Sequence, residues 1–523
     1  MRDFLNRYRS NALFGLGFGV FLYSLMMSQQ LTNTFDGLWH QNYYHSGVPE
    51  LTSGRWMLYF VDKLTMGLHA DPIASVMSLI LFVLGFLLVL ELLGVKGKAA
   101  GYLGMALWIS STVISNTLSY RMTSIGYGIA YLLAVVGVFA AVKIENKIAA
   151  VLIAGITLGL SMACYQANLG VFCIVAVFYL ILQCNVTDKS EKKDNIIFLY
   201  KVIRIVCTLI VGAIFYIASL YIFLKLKNIS LSDYNGGSSI TLPSLIMNLP
   251  GNILKTYKYF GVYFFSNALK LNRLQYFGGF YLLLALLVGL VVWIGIKAWK
   301  NSKVRLVALI AFSLMIPIAC NAYMLIAGDK LELQMTAGLA MLMPLAFIIA
   351  FSCVGKKVWV KMLCALFCVA MLYGNSMQVW FDQEAMYEGR NSSENIAAQV
   401  ISDLQDKDLL SDKYEYYFIG VPARNEYFSV SEIYACANGY AQLGNFWTSG
   451  RCPQLSYHGL INKHMGFDLP MSYLYYDEVA ENYDISGIET FPREGYIAVY
   501  DNRLVVIKIS ELEKYSDYSL YMN

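Results

Sequence analysis

Long apolar runs joined by short polar connections fill roughly the first three quarters of the chain. Crossing about 30 Å of hydrocarbon takes close to twenty residues at 1.5 Å rise per residue. About eleven runs approach that length: Ala12–Leu31, Ile73–Gly94, Ala99–Leu118, Ser124–Val142, Ile148–Tyr165, Leu169–Gln183, Val202–Leu224, Phe277–Ile296, Val304–Ala327, Thr336–Gly355 and Val358–Gln378. Each predicts a transmembrane helix. The first run is too long for the apolar core of a removable signal peptide, and no small-residue cleavage site follows it.

The connections predict the orientation. With the N-terminus in the cytoplasm, one membrane face collects Arg2, Arg7, Arg9, Lys96, Lys98, Lys143, Lys147, Lys189, Lys192, Lys193, Lys201, Arg204, Lys297, Lys300, Lys303, Arg305, Lys356, Lys357 and Lys361. The other face collects about half as many, so the cationic face is read as cytoplasmic. An odd number of spans then places the C-terminus outside.

Two of the external connections are long. Residues 32–72 include Arg55 to Val61, an apolar stretch too short to span and bounded by Asp62-Lys63, which predicts an interfacial amphipathic segment. Residues 225–276 hold a Gly-Gly-Ser-Ser turn at Gly236, Pro243, Pro250 and an aromatic stretch from Tyr257 to Phe265. From about Asp382 onward the pattern changes to short β-like runs (Tyr416–Val421, Gly495–Val499, Arg503–Ile509) among polar and helical stretches, with Asn391 to Asp412 reading as an amphipathic helix plus linker. The last two runs, split by a polar turn, predict a hairpin. The expected architecture is a polytopic α-helical membrane domain over residues 1–381, followed by a small extracytoplasmic α/β domain over 382–523.

Composition narrows the class. Apolar residues make up 58% and charged residues 14% of 523, with mean hydropathy +0.53, which excludes a soluble globular enzyme, a disordered chain and a nucleic-acid binder. Phosphate loops, nucleophile elbows, paired zinc ligands and dinucleotide fingerprints are all missing from the sequence. No metal and no cofactor is expected. Of ten cysteines only Cys436 and Cys452 fall in the outer region, where a disulfide and two free thiols are equally compatible with the spacing.

Charged groups beside spans are costly and mark function or anchoring. Asp36, Arg55, Arg121, Tyr165, Gln166, Asp329, Lys330 and Glu332 all sit at external span ends. Asp36 is positioned to deprotonate an acceptor hydroxyl from the aqueous side while a lipid-borne substrate enters laterally; its bland alternative is a helix-capping aspartate. Arg55 and Arg121 offer planar forks to phosphate, or simply snorkel to headgroups. Tyr165 and Gln166 can hydrogen-bond a sugar or another helix. Asp329, Lys330 and Glu332 form a charged turn.

Asn33-Thr34-Phe35-Asp36, then Gly54-Arg55-Trp56, Tyr165-Gln166, Phe491-Pro492-Arg493-Glu494-Gly495-Tyr496-Ile497 and Leu504-Val505-Val506-Ile507-Lys508, occurring in that order, resemble the GtrII-type bacterial glucosyltransferases, which look like members of the GT-C superfamily. The resemblance implies a GT-C-like fold in the bacterial plasma (inner) membrane. It implies inverting transfer of a sugar, glucose or a related monosaccharide, from a polyprenyl-phosphate carrier to a cell-surface polysaccharide on the outer face. Asp36 maps to the catalytic acidic residue of the first external loop. Gly37 stands where many GT-C enzymes carry a second carboxylate, so that group would come from Glu50, Asp329 or Glu332, or be absent. A separate synthase charging the carrier and a small flippase are implied as partners, besides donor, acceptor and membrane lipid. A transporter or flippase of lipid-linked glycans, and a glycan polymerase or ligase, are the alternatives. Transporters favour mid-bilayer sites in broken helices, whereas these polar residues gather at external ends.

Overall fold

The computed structural model describes residues 2–33, 35–40, 42–95, 97–189, 191–232, 242–265, 279–326, 332–353, 358–421, 433–442 and 451–511. The protein is mostly helical, as a polytopic membrane protein should be. Among the described residues, seven helices are long and apolar enough to cross a membrane on their own.

The chain opens with α1 (Arg2–Leu22), α2 (Ser24–Ser28), α3 (Phe35–His40), α4 (Val48–Thr52) and α5 (Leu58–Leu64). A run of apolar rods follows: α6 (Ile73–Leu92), α7 (Lys98–Ile109), α8 (Thr112–Ser119), α9 (Arg121–Lys143), α10 (Lys147–Cys164), α11 (Leu169–Gln183) and α12 (Lys192–Lys227). Next come α13 (Leu242–Phe265), α14 (Gly279–Asn301), α15 (Lys303–Leu314), α16 (Ile316–Cys320), α17 (Ala337–Cys353) and α18 (Val358–Asp406).

Three of the expected spans are interrupted. The first breaks at Tyr23, where Gln383 on α18 receives the Met26 N–H (2.9 Å) and donates to the Leu22 carbonyl (2.9 Å). The third breaks at Ser110-Ser111; the Tyr23 hydroxyl donates to the Ile109 carbonyl at 2.7 Å, satisfying a group the helix would have paired internally. The ninth divides into α15 and α16 at Met315, with Pro317 in the first turn of the second piece. Freed backbone groups are tolerated at membrane depth only where protein re-pairs them, and here it does.

The last expected span ends differently too. Instead of stopping near Gln378 and restarting as a separate amphipathic helix, α18 continues for 49 residues to Asp406, about 74 Å at 1.5 Å per residue. Its first part packs in the bundle, and its last part, from Ile396 to Leu404, packs in a second core. That second core also contains β1 (Glu415–Ile419), α20 (Cys452–Tyr457), the π-helical turn His458–His464 and β3 (Leu504–Lys508). β3 lies between β1, which it meets in parallel, and β2 (Ile497–Tyr500), which it meets antiparallel with Ile497 opposite Ile507 and Tyr500 opposite Leu504. The expected hairpin is therefore present. α21 (Tyr476–Asn482) completes the region. Cys436 and Cys452 are not joined by a disulfide.

One piece of the C-terminal region enters the bundle. α19 (Ile433–Cys436) and the turn after it are held by Asp382, whose buried carboxylate accepts from the Asn438 backbone N–H (2.8 Å), Asn438 Nδ2 (2.9 Å), the Tyr440 hydroxyl (2.6 Å) and Gln378 Nε2 (3.0 Å). The Tyr440 oxygen lies 2.8 Å from Ser115 Oγ on α8. A buried carboxylate is stable only with such a set of donors.

Candidate active site at one end of the bundle

α3 carries Asp36. The segment before it is pinned to the end of α8, where the Asn33 N–H (3.1 Å) and Thr32 Oγ1 (3.0 Å) both donate to the Ser119 carbonyl. The next position must be small: a Cβ on Gly37 would lie 1.6 Å from Thr32 Oγ1. Gly37 thus lets α3 lie flat on this anchor and sets the direction of Asp36.

Burial raises the Asp36 carboxyl from its ordinary 3.8 to about 6; Arg55 pulls it down, while Glu332 and Glu50 push it further up. Among the described residues Asp36 has no hydrogen-bond partner. A carboxyl with these properties is half-protonated near pH 6, mostly ionised at neutral pH, and free to take a proton from a bound molecule.

Arg55 reaches the same place from the turn between α4 and α5. Its backbone N–H donates to the Glu50 carbonyl (2.7 Å), its Nη1 donates to the Tyr127 hydroxyl (3.3 Å), and its guanidinium lies 5.0 Å from the centre of the Tyr165 ring. Tyr165 and Tyr127 are stacked, with centroids 4.1 Å apart, so the cation rests on an aromatic pair. Gly54, at φ +84°, allows the turn; a Cβ there would meet the Tyr216 hydroxyl at 2.4 Å and Gln166 Nε2 at 2.7 Å. Gln166 Nε2 donates to the Ser53 carbonyl (2.8 Å) and to the Tyr216 hydroxyl (3.0 Å), which in turn donates to the Gly54 carbonyl (3.1 Å). Gln166 therefore braces the turn that presents Arg55.

The acidic groups are placed as follows. Glu50 accepts from the Tyr44 hydroxyl and from the Gly47 N–H (2.7 Å). Glu332 accepts from the Gln334 side chain. Asp329 and Lys330 lie outside the described residues. Arg121, at the start of α9, is buried beside Asp71 and Arg390, which are the charges that act on it; it does not join the field around Asp36. Asp71 is itself raised by burial, an effect opposed by Ser75 and Arg121. Among the described residues, no group of three His, Cys, Asp or Glu side chains is placed to hold a metal ion.

The C-terminal region closes over α3. Leu38 is part of the second core. Trp39 meets His458 edge to face at 5.0 Å, and Lys463 lies 3.8 Å from the Trp39 ring while its ammonium donates to the Trp39 carbonyl at 2.5 Å. Burial lifts the Cys452 thiol to about 11, with Asp36 adding to the effect, which places α20 beside the carboxylate. Nothing in the sequence marks Lys463 and His458 as neighbours of α3, or Tyr127 and Tyr216 as neighbours of Arg55 and its turn: they come from distant segments and carry no motif.

The family model for glucosyl transferase GtrII matches residues 39–351, well over half of the chain. The chain belongs to the GtrII glucosyltransferase family. Membership makes it a membrane glycosyltransferase. The matched stretch contains Arg55, Tyr127, Tyr165, Gln166, Tyr216 and Glu332, begins just past Asp36 and stops before the C-terminal region, so it is narrower than the resemblance expected from the sequence motifs. No curated protein and no solved structure gives a significant match.

Proposed function

We propose that the protein transfers a hexose, glucose or a close relative, from a polyprenyl-phosphate carrier to a cell-surface polysaccharide, with inversion, at the outer face of the plasma membrane. The observation that carries this reading is Asp36: a carboxyl lifted to about 6 at one end of a membrane bundle, with the Arg55 guanidinium close enough to act on it. A sugar phosphodiester already has a good leaving group, so the reaction needs a base for the acceptor and positive charge for the departing phosphate. In the transfer, the acceptor hydroxyl gives its proton to Asp36 and its oxygen bonds to the anomeric carbon. The bond from that carbon to the phosphate oxygen breaks, its electron pair stays on the phosphate, and Arg55 faces the resulting charge. Attack from the side opposite the leaving group inverts the anomeric centre, as in single-displacement glycosidases.

Tyr165 and Gln166 act by holding Arg55 and its turn. Arg121, beside Asp71 and apart from Asp36, is a candidate for a phosphate away from the reacting centre, such as that of a lipid headgroup, because its Nε and Nη1 have no hydrogen-bond partner among the described residues and an anionic ligand would satisfy them. Glu50 and Glu332 keep the Asp36 carboxyl basic. Residues 1–381 are the membrane part and 382–523 the outer part, with the N-terminus cytoplasmic; the outer part, seated on α3, is the surface nearest to an incoming acceptor. The test is mass spectrometry of surface polysaccharide from cells with and without this protein. A hexose substituent present only with the protein supports the reading, and identical polysaccharide in both overturns it.

A further inference from the structure

At the end of the bundle remote from Asp36, a cavity of about 410 Å³ opens between the end of α11, the loop that follows, the first turns of α12 and the start of α15. Its walls carry three cations, Lys189, Lys201 and Arg305, and two carboxylates, Asp188 and Asp194. The transfer reaction described above uses none of them.

Arg305 is buried and rigidly held. Its Nη1 donates to the Gln183 carbonyl (2.8 Å), its Nη2 to the Asp194 carbonyl (3.0 Å) and its Nε to Asn195 Oδ1 (3.3 Å), while its guanidinium lies 3.9 Å from the centre of the Phe198 ring. A guanidinium has five N–H groups, so this cation still has donors to offer. Lys201 is fixed by the Tyr179 hydroxyl (2.9 Å) and Gln183 Oε1 (3.1 Å) and keeps a third N–H. Asp188 accepts from its neighbour Thr187 at 3.0 Å and is exposed at the rim.

The depth of this cavity in the membrane can be read from its surroundings. Lys303 lies 3.5 Å from the Trp299 ring, Lys147 4.4 Å from the Tyr200 ring and Lys297 5.2 Å from the Trp293 ring. Tryptophan and tyrosine paired with lysine collect at the headgroup level of a bilayer. Ile197 on the cavity wall is exposed, as are Ile196 and Val304 nearby, which leaves an apolar path for acyl chains below the polar chamber.

We propose that this cavity binds the headgroup of one membrane phospholipid of the phosphoethanolamine type. The phosphate meets Arg305, Lys201 and Lys189, and the ammonium meets Asp188. Basic pockets between helices on the cationic face of membrane proteins are suited to lipid phosphates. Asp188 decides the class, since the Asp194 carboxylate already accepts the Glu191 N–H (3.1 Å): a headgroup carrying only a phosphate would leave Asp188 facing an anion, whereas one whose ammonium has N–H groups to donate answers both signs of charge.

The full-length chain, purified in mild detergent, is mixed with equal amounts of phosphatidylethanolamine, phosphatidylglycerol and phosphatidylcholine and examined by native mass spectrometry. One phosphatidylethanolamine per chain is expected to be retained over the other two. Lys201→Gln should lower that retention about tenfold, the worth of one charge-assisted hydrogen bond. Lys189→Gln, at the exposed rim, should lower it in the same direction with no effect on folding. Asp188→Asn should turn the preference toward phosphatidylglycerol. Equal retention of the three lipids, or retention unchanged in both lysine variants, overturns the proposal. So does displacement of the bound lipid by millimolar inorganic phosphate, which would make the cavity a site for the free ion. None of these readouts depends on glycosyl transfer.

Discussion

Replacing Asp36 with asparagine separates a catalytic carboxylate from a structural one, because the two roles predict opposite signs of stability change. Burial lifts the carboxyl from 3.8 to about 6. A raised folded-state value means that the folded protein holds the proton more tightly than the unfolded chain. Stability is therefore greatest below pH 4 as far as this group is concerned, falls as pH rises from about 4 to about 6, and stays lowered above that. Keeping the group ionised at pH 7 costs about 3 kcal/mol. Asparagine has nearly the same shape and no charge to desolvate, so Asp36→Asn should abolish glycan modification while raising stability at pH 7.5 by up to about 3 kcal/mol. The assays are hexose incorporation into surface polysaccharide, and thermal unfolding of the detergent-solubilised protein at pH 5 and pH 7.5. The gain from the substitution should shrink at the lower pH, where the wild-type carboxyl is mostly protonated. Full transfer activity in Asp36→Asn, or a loss of stability at pH 7.5, would refute the reasoning.

The other predictions concern the same end of the bundle. The pH profile of transfer should rise through about pH 6 and flatten above it, since the base acts only when deprotonated; a profile flat from pH 5 to 8 would remove the carboxylate from the rate-determining step. Gly54→Ala, which places a methyl 2.4 Å from the Tyr216 hydroxyl at a positive φ, should destabilise the turn by about 1–3 kcal/mol and reduce kcat/KM for the lipid donor at least about tenfold. Gln166→Leu should raise donor KM by moving Arg55, and the rise in its pH profile should move to higher pH as the cation that lowers Asp36 withdraws; unchanged KM and profile would show that Gln166 does not position Arg55. Arg55→Lys keeps the charge but loses the planar fork and the seat on Tyr165, so transfer should fall about tenfold or more with insertion into the membrane intact.

Hydropathy along the chain is enough to establish a helical membrane protein, because a segment that must satisfy every backbone group in hydrocarbon announces itself by length and apolarity. Ile73–Leu92, Arg121–Lys143 and Lys147–Cys164 are where the apolar runs place them. The hairpin of β2 and β3 is equally local: two alternating runs and a polar turn suffice. Gly37 and the Gly54-Arg55 turn could be noticed for their residue types alone.

What lies across sequence distance could not. The breaks at Tyr23 and Ser110 exist because Gln383 and the Tyr23 hydroxyl, from elsewhere in the chain, re-pair the opened backbone. The apolar run around Val358 says nothing of a helix continuing to Asp406, since its second half is stabilised by a separate core that the strands and α20 supply. Arg55 and Arg121 look alike from the sequence, each an arginine at a span end. Folding gives one to Asp36 and the other to Asp71, because the path of α3 over the end of α8, and not the hydropathy of either segment, decides which carboxylate each cation faces. Proton affinity follows the same division: the residue type sets the ordinary value of a carboxyl, and only its packed surroundings move it to where it can act as a base.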